Sequence, residues 1–241
     1  MTAPAPLLLP EHIEQHLAAD AASGALALAD FVGSALADAL GERGRASLLV
    51  SGGRSPIPFL AALSQRELDW AQVTVSLVDE RCVPSDSEAS NARLLREHLL
   101  QNAAAAAHFI PLYQDDAEPE AAAALAEQAL DAVPAPFDVA VLGMGDDGHT
   151  ASLFPGARGT AAGLDPQQPR RVIATWPTTA PHARLSLTLR ALLETQTLVL
   201  AIAGEPKRAV LERAADSAPD VLPIAAFLRQ QATPLHLFFS A

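Results

Sequence analysis

The chain predicts an α/β fold, an open and mostly parallel sheet with helices on both faces. Three observations point there. Short apolar runs alternate with amphipathic or alanine-rich stretches along the whole 241 residues, the order that builds parallel sheets. Several runs are short and predominantly apolar, as strands covered on both faces are. Glycine-bearing polar clusters follow those runs, where open α/β sheets place their ligand crevice.

Taken in order, Glu11 to Leu40 has apolar residues at helical spacing and no proline, which predicts one or two helices. Ala46–Val50 predicts a buried strand ending at Ser51-Gly52-Gly53, and Pro56 suits the first position of a helix running to Leu63. Val73–Val78 alternates and is β-branched, a strand that ends at Asp79-Glu80-Arg81. Ser90 is an N-cap for a helix from Asn91 to about Leu100. The alanine tract 103–107 reads as a helix end or connection, and 121–124 as helix. Phe137–Leu142, Arg171–Trp176, Arg184–Leu189, Thr197–Ile202 and Leu235–Phe239 predict strands, with a helix opening at Pro206 and running to Ala215. No internal repeat and no long linker divides the chain, so one domain over residues 1–241 is expected.

Composition narrows the function. Half the residues are apolar and 18% are charged, enough for a substantial core. The net charge of −12 disfavours nucleic-acid partners, which need a basic footprint. It leaves room for a small anionic ligand held by a local basic cluster. Cys82 is the only cysteine, so neither a disulfide nor a cysteine zinc cage can form within the chain. No apolar run reaches membrane-span length, since Asp20, Asp30 and Asp38 interrupt the Ala/Leu-rich stretch, and the N-terminus has no signal-peptide pattern. A cytoplasmic protein without membrane or nucleic-acid partners is the expectation. Fifteen of the 16 basic residues are arginine, which singles out Lys207 as a lysine in a role that a compact ammonium fills and a guanidinium does not.

Four predicted strand ends carry polar clusters. Ser51-Gly52-Gly53-Arg54-Ser55-Pro56 offers free backbone N–H groups ahead of a helix, a cradle for phosphate that is neither a Walker A loop nor a dinucleotide fingerprint. Asp79-Glu80-Arg81-Cys82-Val83-Pro84 sets three charges at a strand terminus. Gly143-Met144-Gly145-Asp146-Asp147-Gly148-His149 is a glycine-rich turn whose His149 can exchange a proton near neutral pH. Arg184 together with Gly204-Glu205-Pro206-Lys207 could clamp an anion from the other side. No set of His, Cys and carboxylate residues shows metal-ligand spacing, and no metal is expected. The other six histidines, including His16 and His236, read as surface or packing residues, and Cys82 as a packed thiol.

These clusters, with Ser90-Asn91, the continuation Thr150-Ala151-Ser152-Leu153-Phe154-Pro155-Gly156 and Leu187-Thr188-Leu189 after Arg184, resemble the 6-phosphogluconolactonases in order and spacing from about residue 45 to 215. The resemblance implies a Rossmann-like fold and metal- and cofactor-free hydrolysis of 6-phospho-D-glucono-1,5-lactone to 6-phosphogluconate. It implies His149 as general base, Asp147 as its orienting carboxylate and Arg81 facing the product carboxylate or the developing oxyanion. Gly52, Gly53, Arg54, Ser55, Arg184 and Lys207 would hold the phosphate, and Asp79 and Asn91 would contact sugar hydroxyls or brace the loops. Arg54 stands where that family usually has a small residue. A sugar-phosphate lactone is the implied partner, with the chain a monomer or weak homodimer. A glucosamine-6-phosphate deaminase fits less well: those enzymes typically carry Tyr in place of Arg81 and Asn-Glu-Pro-Gly in place of Leu153-Phe154-Pro155-Gly156. A catalytically silent sugar-phosphate sensor would need a DNA-binding segment, and the sequence has no basic helix-turn-helix.

Overall fold

The computed structural model describes residues 4–114, 118–133 and 135–241. Ten strands and eight α-helices follow in the order β1 (Glu14–Ala18), α1 (Ala21–Arg43), β2 (Ala46–Val50), α2 (Ile57–Leu63), β3 (Val73–Leu77), β4 (Asp79–Arg81), α3 (Asn91–His98), β5 (His108–Phe109), α4 (Pro119–Ala129), β6 (Phe137–Leu142), α5 (Thr160–Leu164), β7 (Val172–Thr175), β8 (Arg184–Leu187), α6 (Leu189–Leu193), β9 (Thr195–Ala203), α7 (Glu205–Asp216), α8 (Ile224–Arg229) and β10 (Leu235–Ser240). Seven strands form one sheet in the order β1-β10-β9-β6-β2-β3-β5, parallel at every pairing. Every residue of β2 and β6 is buried, so both faces of the sheet are covered at its centre. From β2 the chain steps to β3 and β5 on one side, whereas β6, β9 and β10 fill the other. The winding reverses between β2 and β6, and their carboxyl ends frame a crevice.

A second, antiparallel sheet has the order β4-β8-β7. Val78 joins the two sheets: its N–H donates to the Val50 carbonyl and its carbonyl accepts from Leu187 N–H. One cluster of buried apolar side chains runs through both sheets.

Helix α1 packs on β2, β6 and β10 and against α2. Leu28, Val32 and Leu36 are buried at four-residue steps, one stripe facing the core. Its 23 residues are long and apolar enough, by length and composition, to cross a membrane. Asp20 caps its start by accepting from Ser23 N–H at 2.8 Å, and Gly44 closes its end in the left-handed region at φ 66°.

The sequence reading needs three corrections. Glu14–Ala18 is an edge strand rather than the start of a helix. Its partner β10 lies at the other end of the chain, with Glu14 opposite His236, so no local period reveals it. β7 and β8, expected beside the other strands, pair antiparallel in the second sheet. The connection between them is too short for the dozen or more residues of a parallel crossover. Asp79-Glu80-Arg81, expected as a strand-end loop, is itself a strand of that sheet. Short elements β5, α5, α6 and α8 were also not foreseen. The other predicted strands and helices are present, their ends shifted by a few residues at most in all but α4, which extends well beyond the alanine tract.

Removing the Asp20 cap tests the account of α1. Asp20→Ala should lower stability by about 1 kcal/mol, read as a lower midpoint in urea denaturation with an unchanged slope. An unaltered midpoint would show that the cap contributes nothing.

Candidate active site

The crevice at the ends of β2 and β6 is a cavity of about 290 Å³. Backbone and side chain of Ser51 tie its two sides together: Ser51 N–H donates to the Val141 carbonyl at 2.9 Å, and its hydroxyl accepts from Gly143 N–H at 3.2 Å. All four polar clusters read from the sequence reach its wall. Gly52, Gly53, Arg54 and Ser55 come from the turn after β2, Gly145 and His149 from the turn after β6, Asp79, Arg81 and Arg184 from the second sheet with Asn91 from α3, and Lys207 from α7. Asp147 is not on the wall; it stands behind His149.

The turn after β6 is shaped around the imidazole. His149 Nδ1 lies 2.5 Å from Asp147 Oδ1, and the same carboxylate oxygen accepts the backbone N–H of His149 at 3.1 Å. Gly148 adopts φ 76°, and its N–H donates to the Gly145 carbonyl. A Cβ at Gly145 would overlap the His149 ring, so that position admits only hydrogen. The other side of the ring is stacked on Phe154, with centroids 4.0 Å apart and planes at 21°. Burial pushes the Asp147 carboxyl up, yet the hydrogen bond and the charge of His149 outweigh it and hold the group below its ordinary value. The carboxylate therefore stays ionised at neutral pH and fixes which ring nitrogen carries the proton.

A buried acid organises the opposite wall. Glu80 is 2% exposed. Its carboxylate accepts the backbone N–H groups of Arg81, Asn91 and Ala92 at 2.7–2.8 Å and the Ser90 hydroxyl at 3.1 Å. Three of these donors belong to the start of α3, where a negative charge is favourable. Burial pushes the Glu80 carboxyl above its ordinary value against the opposing effect of those N–H groups. Asn91 donates from Nδ2 to the Asp79 carbonyl at 2.9 Å, while its buried Oδ1 has no partner and abuts Gly52 so closely that a Cβ there would collide with it. Asp79 Oδ2 accepts the Ser152 hydroxyl at 2.6 Å. Ser152 is wholly buried, so it is no exposed nucleophile.

Arg81 and Arg184 face each other across the β4–β8 pair. Arg81 donates to the Ala89 carbonyl at 2.5 Å, and the Nε of each arginine is buried without a partner. Arg184 also lies over Phe154, its guanidinium carbon 5.4 Å from the ring centroid. Burial first, and the neighbouring Arg81 charge second, lower the Arg184 pKa. Ion pairs elsewhere occupy Arg43, Arg66, Arg171 and other arginines, but among the described residues none engages Arg54, Arg81, Arg184 or Lys207. Four cations that enter no ion pair thus share one cavity with the Asp79 carboxylate, a surplus of positive charge that suits an anion in an otherwise acidic protein. Cys82 is only half-buried, yet desolvation, with the Glu80 charge second, pushes its thiol up to about 11, consistent with a packed and unreactive group.

Among the described residues, the clusters read from the sequence contain every polar side chain on this wall except Ser240, although they give Ser51 and Glu80 no role of their own. Three adjacent charges look like a solvated loop, and only the paired strand reveals that the middle one turns inward. The stacking of Phe154 on His149 was likewise invisible, although five residues separate them in one motif.

Glu80→Ala would leave three backbone N–H groups without their acceptor. A buried unpaired donor costs about 1–3 kcal/mol, so the variant should lose on the order of 2 kcal/mol or more in chemical denaturation. Wild-type stability in this variant would contradict the organising role.

The family profile described as glucosamine-6-phosphate isomerases/6-phosphogluconolactonase matches residues 19–236. A 6-phosphogluconolactonase of Pseudomonas aeruginosa is 48% identical over 228 residues, 94% of this chain and 96% of that one. One from Rhizobium meliloti is 47% identical over 93% of this chain and 97% of its own. The crystal structure of a 6-phosphogluconolactonase from Shewanella baltica superposes with a TM-score of 0.92 at 40% identity, covering 98% of this chain and all of that one. By sequence over nearly its full length and by fold, the chain belongs to the glucosamine-6-phosphate isomerase/6-phosphogluconolactonase family.

Proposed function

We propose that this protein hydrolyses 6-phospho-D-glucono-1,5-lactone to 6-phospho-D-gluconate, step two of the oxidative pentose phosphate pathway, with His149 as general base. The observation that carries the reading is His149, backed by Asp147, on the wall of a cavity that also holds four cations in no ion pair. The names of the relatives, at 47–48% identity over nearly the whole chain, support the same activity.

A lactone is an activated ester, so a positioned water and a base suffice, and the step calls for no cofactor. With Nδ1–H donated to Asp147, the other ring nitrogen of His149 is the acceptor that removes a proton from the attacking water. The water oxygen bonds to C1, and the carbonyl electrons move onto oxygen. When the tetrahedral intermediate collapses, the bond from C1 to the ring oxygen breaks and His149 returns its proton to that oxygen. Asp147 orients the imidazole and stabilises its cation between the two transfers. Arg81 faces the oxyanion. The backbone of Gly52 and Gly53 and the side chains of Arg54, Ser55, Arg184 and Lys207 grip the phosphate, and that remote binding energy positions C1 against the base. Asp79 and Asn91 brace this wall through Ser152 and the β4 backbone. We also read residues 1–241 as one catalytic domain working in a reducing cytoplasm, in keeping with the shared core and the single packed thiol.

His149→Ala should lower kcat by about 10²–10⁴-fold with little change in stability, measured on freshly generated lactone and corrected for spontaneous hydrolysis. Turnover unchanged above background would remove His149 from the mechanism. Asp147→Asn should lower kcat by about 10²–10⁴-fold, because the imidazole loses the carboxylate that orients it and stabilises its cation; an unchanged kcat would mean that the carboxylate does not act on the base.

Lys207→Ala should reduce kcat/KM by about 10–100-fold, as expected for one charge-assisted contact. Lys207→Arg should also be impaired, since a planar fork does not occupy the place of a compact ammonium. Unphosphorylated glucono-1,5-lactone should be a poor substrate of the wild type, and Lys207→Ala should narrow its disadvantage. Equal turnover of the two lactones by the wild type would overturn the phosphate grip.

A further inference from the structure

We propose that Glu14, His16 and His236 form a binding site for a divalent transition-metal ion of the zinc type, on the outer strands of the main sheet and apart from the catalytic cavity. Glu14 stands opposite His236 in the parallel β1–β10 register, and His16 is two residues along on the same face of β1. His16 Nε2 and His236 Nδ1 are 3.2 Å apart. Tetrahedral zinc with metal–nitrogen bonds of 2.0–2.1 Å sets its ligand nitrogens roughly 3.3 Å apart, so the two rings already have the separation that one ion requires. The Glu14 carboxylate reaches both, with Oε1 3.6 Å from His16 Nε2 and Oε2 3.4 Å from His236 Nδ1. One ligand atom from each of the three residues falls within 4.8 Å of the others.

The rings are held by packing and are not free to swing apart. His16 is stacked on Phe238 with centroids 4.2 Å apart and planes at 10°, and Phe31 of α1 is tilted against both His16 and His236 at 5.3 and 4.7 Å. The histidine side chains are 28% and 15% exposed and that of Glu14 is 66% exposed, which leaves the carboxylate side open for entry and for a water as fourth ligand. Two imidazoles and a carboxylate suit zinc and its neighbours rather than calcium or magnesium. None of the three lines the catalytic cavity. The sequence reading found no ligand set because these residues meet only when the last strand pairs with the first.

The test uses untagged, full-length protein stripped with EDTA. Titration with Co²⁺ should produce the visible d–d bands of four-coordination, saturating near one equivalent per chain, and Zn²⁺ should abolish them by displacement. Zinc should raise the Tm, since it binds the folded pairing of β1 with β10. Glu14→Gln, at an exposed position, should weaken binding on the order of tenfold or more, and His16→Gln should abolish it. Lactone hydrolysis should be the same in stripped wild type and in Glu14→Gln, which separates this site from the cavity. If Co²⁺ gives no saturable spectrum, or binds Glu14→Gln and His16→Gln as it binds the wild type, the two histidines are only hydrogen-bonded to each other and the proposal fails.

Discussion

The transfer of the chain from one sheet to the other at Val78 is the constraint on which the site depends. A parallel strand ordinarily ends in a turn that leads to a helix. Here Val78 hydrogen-bonds to Val50 on one side and Leu187 on the other, and the next three residues become a strand of the antiparallel sheet. That turn carries Asp79 and Arg81 to the cavity and sends Glu80 inward. The buried carboxylate then secures the arrangement by accepting from Arg81 on one element and from Asn91 and Ala92 on another. A buried charge is tolerated only when its lone pairs are used, and here they are used by the backbone that must be held.

The electrostatics follow from the same geometry. Register places Arg81 against Arg184, two like charges whose repulsion the Asp79 and Glu80 carboxylates of the same strand offset only in part. Such a pair is unfavourable unless an anion completes it. The protein carries a net charge of −12, yet its cavity gathers Arg54, Arg81, Arg184 and Lys207. A local cluster of cations can hold a small anion whatever the sign of the global charge. Phe154 links this cationic wall to His149, whose imidazole is stacked on its ring while the Arg184 guanidinium lies over it.

The outer strands have a different logic. β1 would be left with an unsatisfied hydrogen-bonding edge on both sides without β10, and the pairing brings Glu14, His16 and His236 together. The aromatic packing of Phe31 and Phe238 around the two imidazoles belongs to the same contact between α1 and the sheet.

By itself the sequence determined the central strands, because β2 and β6 are apolar at every position but Ser47 and Asp138, and such runs need no partner to be seen. It also marked the polar residues of the turns, because glycine-rich strand ends with His149, Asp147 and Lys207 are recognisable by residue type and spacing. Tertiary structure alone decided which strands pair, and with them β1, the antiparallel sheet, the inward turn of Glu80 and the meeting of Glu14 and His16 with His236. The reason is that hydrophobic period and turn chemistry are local and can be read along the chain. Strand partnership and the burial of a charge are settled by residues far away in sequence, and they exist only once the chain has closed on itself.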